Sequence, residues 1–331
     1  MRKIVKLDFS PSGGRVHFGN GLLEETKPTF CADTLFSALF LEELKLTGDD
    51  KTCEWLNQIK LTDTFPFFLK DNLETFFLPK PIAFNGIDGE NKKLTKSIKF
   101  IPVDKFKYWI DGKCSESELK HLQEQQLKIG KEEVAQKAQI LRSSYIEKDD
   151  KGESIKSTEL FSVGTFQFEE NAGLWFMVEI EDKDYLKFKN VIKSLSYSGV
   201  GGKRSSGLGR FNVSFEDIEK QSLLQNLLKV SCKEGRTCMT LTTCYPEPEE
   251  LDKICFDKSS YKLVKRSGYV FSLSYRKVGE NYRKTDFYKF AAGSCFTEVF
   301  DGDIFDVSES DRDNHKVWSY AKPIWIGWEQ K

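Results

Sequence analysis

The chain has 331 residues, with 50 Lys and Arg against 51 Asp and Glu, 39% hydrophobic residues and 27 Phe. That length accommodates two domains, and the composition excludes a disordered or fibrous chain. A formal net charge of −1 excludes a global positive field, so contact with RNA or DNA must come from local patches.

Val5, Leu7 and Phe9 alternate in an opening strand, so Met1–Ser10 is not read as a signal-peptide core. No apolar run reaches 18 residues, so no membrane span and a cytoplasmic location are expected. Next come a turn at Ser10–Gly14 and a glycine-containing loop, His17-Phe18-Gly19-Asn20-Gly21. Asp33 is read as the N-cap of an apolar helix running to about Lys45. Phe65–Leu69 and Phe76–Pro81 read as short extended pieces broken by prolines. Residues 113–152 are rich in Gln, Lys and Glu, helical in pattern at first, and read as an insertion or protruding hairpin.

Core patterning resumes at Phe161, with strands expected over Thr165–Phe168 and Leu174–Ile180. Tyr185, Phe188, Val191, Ile192 and Leu195 then recur at helical spacing, and Gly199 is placed as a left-handed C-cap. Between Asp184 and Glu216 the chain carries six Lys or Arg and no acid. Within that stretch lies Gly199-Val-Gly201-Gly202-Lys203-Arg204-Ser205-Ser206-Gly207-Leu-Gly209-Arg210-Phe211. Glycines free the backbone to turn successive N–H groups outward, and Lys203, Arg204, Arg210 and the serines complete a phosphate site. Phe211, Val213 and Phe215 alternate as the following strand.

The order helix, loop, strand decides between phosphate chemistries. A nucleotide P-loop needs strand, loop, helix, so that a positive helix N-terminus meets the phosphate. Tyr197 and Arg204 also stand where Walker A needs Gly and Ser or Thr. The segment is therefore read as a groove for a sugar-phosphate backbone.

A second unit is placed from about residue 235. Cys238–Cys244 is β-rich, Pro246–Phe256 is read as a short helix, and Tyr269, Phe271, Leu273 and Tyr275 alternate as a strand. Arg283 and Lys284 follow; Asp301–Asp313 is acidic, with solvated and protein-binding readings both open. Trp318–Trp328 is read as a closing apolar strand. The eight cysteines include no C-x-x-C pair, so reduced core thiols are expected, with no metal site and no cofactor. The fold class is α+β, with two ferredoxin-like (RRM-like) units: 1–220, with an insertion around 113–152 and the glycine-rich loop at 199–210, and 235–331.

Several stretches carry a family resemblance from end to end. They are His17-Phe-Gly19, Phe30-Cys-Ala-Asp-Thr-Leu-Phe-Ser-Ala38, Leu78-Pro-Lys-Pro81, Tyr197–Phe211, Tyr282-Arg-Lys284, Phe287–Ser294 and Tyr320-Ala-Lys-Pro323. Together the sequence resembles the RAMP superfamily of CRISPR-associated proteins, and within it the fourth subunit of the type III-A (Csm) effector complex. That resemblance implies a subunit holding the repeat-derived 5′ handle of CRISPR RNA. Its implied neighbours are the polymerase-like signature subunit and the backbone RAMP subunit that cleaves target RNA. It also implies that part of 113–152 forms a thumb-like hairpin at the guide–target duplex.

Some RAMP proteins cut CRISPR RNA precursors without metal, using a histidine near a ribose 2′-OH. Of three histidines, only His17 lies in an RNA-facing loop, so His17 as general acid or base is the alternative to a non-catalytic binder. In the binding reading the contacts come from His17, Phe18, Gly19, Gly201, Gly202, Lys203, Arg204, Ser205, Ser206, Gly207, Arg210, Arg283 and Lys284. Phe18 or Tyr197 would stack on unpaired bases.

Overall fold

The computed structural model describes residues 1–19, 21–82, 92–140, 158–229, 236–270, 283–308 and 316–329. Strand β1 (Arg2–Asp8) is an interior strand, with Val5 and Leu7 buried on one face and Ile4 on the other. Helix α1 (Ala32–Thr47) buries Leu35, Phe36 and Leu39 and stops at Gly48, whose φ of 75° is a left-handed cap. Its N-cap is Cys31, and the Ala32 amide donates to Asp63 Oδ1 at 2.9 Å. Asp33 is thus inside the first turn and is not the cap its position suggested, because a carboxylate from a distant segment takes that role.

Strands β2 (Phe65–Lys70) and β3 (Leu73–Pro79) form one hairpin, closed by Asp71 and Asn72 at φ 51° and 64°. Two successive positive φ values are the requirement of a type I′ turn. The stretch expected as an insertion is a helix followed by a strand. Helix α2 (Glu116–Leu127) starts on a capping box of Ser115 and Glu118. Strand β4 (Gly130–Ile140) then pairs antiparallel with β5 (Thr158–Phe168) along its whole length. Residues 141–157 lie outside the described residues.

Strand β6 (Ala172–Glu179), helix α3 (Asp182–Ser198) and strand β7 (Asn212–Asp217) complete the larger sheet. Its order is β7-β1-β6-β2-β3, then Phe100–Pro102, with Lys60–Leu61 also paired to β6. Every pairing is antiparallel. Both β-α-β connections skip a strand: β1 reaches β2 through α1, and β6 reaches β7 through α3.

The C-terminal part builds smaller sheets. Strand β8 (Arg236–Thr240) lies between Cys295–Phe296 and the last strand. Strand β9 (Leu263–Arg266) pairs with β10 (Phe287–Phe290), and β11 (Trp318–Tyr320) pairs with Ile304–Asp306. The last strand, β12 (Trp325–Glu329), belongs to the β8 sheet. The single closing strand expected over Trp318–Trp328 is therefore two strands in different sheets, separated by Pro323, which has no N–H for a ladder. The helix in 246–256 is one turn, Pro248–Leu251. Most of the alternating run from Tyr269 to Tyr275 lies outside the described residues, as does the acidic run from 309 to 313.

Two cores flank the large sheet. On one side Val5, Leu7, Leu174 and Phe176 pack with α1 and α3. On the other, Ile4, Phe65, Phe76, Trp175 and Met177 pack with Leu119 and Leu122 of α2 and with Ile326 and Trp328 of β12. Alternation along β1 and β6 feeds both.

Candidate nucleic-acid interface

Helix α3 ends at Ser198, and the Gly199 amide donates to Leu195 O at 2.7 Å. Gly199 has φ 78° but ψ 163°, so the chain leaves the helix extended and not through the left-handed cap expected there. The loop then closes on itself, Val200 N–H donating to Gly209 O at 3.0 Å. At Gly209, φ is 75° and a Cβ would run into the Val200 carbonyl oxygen. At Gly201, φ is 90° and a Cβ would lie 2.6 Å from His17 O. Only glycine satisfies both constraints.

The tip is made by a left-handed Lys203, φ 56°, followed by a turn of 3-10 helix over Arg204–Ser206. Ser206 and Gly207 return their amides to Lys203 O and Arg204 O, each at 2.9 Å. The amides of Lys203, Arg204 and Ser205 meet no acceptor among the described residues. A left-handed residue next to a right-handed one aims consecutive N–H groups into one concavity, which is an anion nest. Ser205, Ser206 and Arg210 are exposed, and Lys203 and Arg204 are half-buried. Lys203 Nζ lies 5.1 Å from the Phe161 ring of β5, which aims the ammonium without neutralising it.

His17 and Phe18 support this loop from below. The His17 carbonyl accepts the Gly202 amide at 2.8 Å. Its imidazole is 6% exposed, with Nδ1 2.6 Å from Gly164 O. A carbonyl only accepts, so Nδ1 carries the proton. The Nε2 edge faces Gly19 and Gly202, where added Cβ atoms would be 3.2 and 3.4 Å away. Phe18 is 5% exposed and packs on Phe30 and Phe9 at 4.8 and 6.0 Å. The expectations that Phe18 stacks on bases and that His17 reaches a ribose are therefore corrected: both rings are enclosed. Tyr197, 71% exposed, is left as the open aromatic beside the loop.

A second basic cluster surrounds Asp33. This carboxylate is 1% exposed. Lys289 Nζ lies 3.5 Å from its Oδ1, and Arg266 Nε and Lys284 Nζ lie 3.3 and 3.7 Å from Oδ2. Ser319 Oγ and the Tyr320 amide also donate to Oδ1, at 3.1 and 2.9 Å. Burial alone would raise this carboxyl, but Lys289, Lys284 and Arg266 outweigh it and hold it well below the usual carboxylate range. Three cations on one carboxylate leave a local excess of positive charge. Lys27 adds to it: its ammonium is lowered first by burial and then by the Arg266 and Lys262 charges. Lys27 lies opposite Phe18 in a two-strand ladder, so the field of the cluster reaches the support of the glycine loop. Lys284 is turned inward to Asp33, whereas the exposed Arg283 is 3.6 Å from Asp286.

The sheet itself offers no second platform. Phe65, Phe76 and Trp175, the aromatics on the face opposite α1 and α3, are all buried. Among the described residues no three His, Cys, Asp or Glu gather as metal ligands, and no helix is long and apolar enough to cross a membrane.

A family model described as the CRISPR Csm4 C-terminal domain matches residues 233–328. The CRISPR system Cms protein Csm4 of Mycobacterium tuberculosis (strain CDC 1551 / Oshkosh) is 34% identical over 328 residues, 98% of this chain and 97% of that protein. The protein of the same name from Streptococcus thermophilus is also 34% identical, across 94% of each. The chain belongs to the Csm4 family.

Solved structures agree on the α+β fold. Csm4 in a Csm3–Csm4 subcomplex of the type III-A CRISPR-Cas interference complex superposes with a TM-score of 0.65 at 21% identity, covering 99% of this chain and 100% of that one. A Csm1–Csm4 cassette in complex with pppApA gives 0.55 at 15%, covering 100% and 98%. The charge hub of Asp33, Arg266 and Lys289 escaped sequence reasoning, which read Asp33 as an N-cap. Lys289 left one trace, a lysine at an inward position between Phe287 and Phe290.

Proposed function

We propose that this Csm4 chain is a non-catalytic RNA-binding subunit of a type III-A CRISPR effector complex, holding the 5′ handle of the CRISPR RNA. The observation that carries it is the nest at Lys203–Ser205: free amides, flanking cations without acidic partners among the described residues, and buried aromatics bracing the loop. The polymerase-like signature subunit and the backbone RAMP subunit are its neighbours in this reading. Csm4 relatives solved with Csm1 and with Csm3 support that placement. The hairpin of β4 and β5 is the candidate for the thumb at the guide–target duplex. Residues 1–220 are read as one ferredoxin-like unit, supported by the order β7-β1-β6-β2 and the two strand-skipping helices. Residues 235–331 are read as the second, supported by the β8 sheet and the family match over 233–328. A cytoplasmic location belongs to the same reading.

Enclosure of His17 weighs against the endoribonuclease alternative. The test is a Lys203→Glu/Arg204→Glu variant in the reconstituted complex, scored by guide retention across a salt series. Loss of two phosphate contacts lowers the log–log salt slope by about 1.4 for single-stranded RNA. An unchanged slope with unchanged retention removes the loop from the RNA site.

A further inference from the structure

A cleft of about 350 Å³ lies between the two halves of the chain, and none of its lining belongs to the glycine loop. Lys96 and Lys99 are exposed at its mouth, with Lys80 half-buried beside them. Its floor is formed by the buried Asp63 and Thr243, and Phe100 lines one side. The walls are fastened together: Ile82 donates to Gly293 O at 2.9 Å, and Lys80 donates to Lys99 O at 3.1 Å. The cleft is preformed.

Its hydrogen-bonding capacity is partly spent. Lys80 Nζ donates to Thr95 O at 2.7 Å and keeps two further hydrogens. Asp63 Oδ1 accepts the Ala32 and Thr243 amides, both at 2.9 Å, and Oδ2 accepts the Thr243 hydroxyl at 2.6 Å. One acceptor direction on Oδ2 is left. A ligand that offers an anionic group to the lysines and a hydrogen-bond donor to Asp63 would complement the cleft.

We propose that this cleft takes a single unpaired nucleotide of RNA, with its phosphate on Lys96 and Lys99 and an N–H of its base edge donated to Asp63. The proposal rests on the reading of this chain as an RNA binder, but on different residues. A nucleotide carries both required features, and Phe100 supplies an aromatic edge for the base. An acidic side chain of a protein partner would satisfy the lysines and then meet the Asp63 carboxylate, which disfavours it.

Ultraviolet crosslinking of guide RNA in the reconstituted complex, with the crosslinked peptides mapped, tests this. Crosslinks at Phe100 or at Ala291–Ala292 are expected. Crosslinks confined to 199–210 overturn the cleft and keep the loop reading, whereas crosslinks at the cleft alone keep the cleft and overturn the loop. A carbodiimide crosslink from Lys96 or Lys99 to a neighbouring subunit, without RNA, overturns the proposal in favour of a protein occupant. Ala292→Trp fills the cleft without changing its charge, and Lys96→Glu/Lys99→Glu reverses the mouth. Each should cut the cleft crosslink about tenfold, the scale of one stacked base, with the melting temperature maintained. An unchanged yield in both variants refutes the proposal.

Discussion

Asp33→Asn isolates the charge at the hub of the two halves. Asparagine keeps an oxygen for the Tyr320 amide and the Ser319 hydroxyl, so what is removed is the negative charge and the one acceptor that faces Arg266 Nε. Arg266 and Lys284 are partly exposed and can turn toward water, but Lys289 is wholly buried. After the substitution Lys289 keeps the Tyr320 carbonyl, at 2.6 Å, and neutral neighbours, but no longer has the Asp33 charge. At an effective dielectric of about 20, opposite charges 3.5 Å apart attract by about 5 kcal/mol. Breaking a buried pair costs about 3–5 kcal/mol by mutational experience, so the two scales agree. The expected loss of stability in urea unfolding at pH 7 is therefore about 3–5 kcal/mol. Asp33→Asn/Lys289→Met, which removes both buried charges, should recover most of it. The pH dependence has a definite sign. Because the folded carboxyl is depressed, its contribution is present above the unfolded value of about 3.9 and lost as pH falls below it. The gap between wild type and Asp33→Asn should narrow between about pH 5 and pH 2. A loss under 1 kcal/mol, or a double variant no more stable than the single, refutes the buried-charge account.

Gly209→Ala should cost about 1–3 kcal/mol in urea unfolding, because its φ is positive and the Val200 carbonyl blocks a Cβ; guide retention should fall with it. Phe18→Ala should destabilise by about 3–5 kcal/mol, as a buried ring does. Tyr197→Ala should stay within about 0.5 kcal/mol of wild type in the same assay while weakening RNA crosslinking at the loop. Burial pushes the Cys53 thiol up to about 11, so native protein treated with iodoacetamide at pH 8 should leave it unmodified until urea is added.

What was legible in the sequence is what depends on near neighbours. The helical period from Tyr185 to Leu195 and the alternation in β1, β6 and β7 follow from residues a few positions apart, so the helix, loop, strand order was readable. Asp33 was misread because its partners are remote: Arg266 follows it by 233 residues. Nothing local distinguishes an aspartate that caps a helix from one that anchors a second half of the chain. Phe18 failed for a related reason. A phenylalanine between His17 and Gly19 reads as a loop aromatic, and only the approach of Phe9 and Phe30 encloses it.

These two misreadings bear on one functional point. A ferredoxin-like sheet that reads RNA commonly does so with aromatics on its open face, and this chain has such aromatics in Phe65, Phe76 and Trp175. Here α2 and the C-terminal strands cover that face, with Trp328 of β12 in the same core. In the proposed RNA-binding reading, contact moves from the sheet to its connections, where glycines shape amides and the loop cations have no acidic partner among the described residues. The Asp33 hub belongs to the same arrangement. It fastens the start of α1 to β9, β10 and β11, so the second half both closes the sheet and brings the Arg266 charge within electrostatic reach of Lys27. If that coupling holds, Asp33→Asn/Lys289→Met should restore stability without fully restoring guide retention, because Arg266 and Lys284 would have lost the carboxylate that orients them.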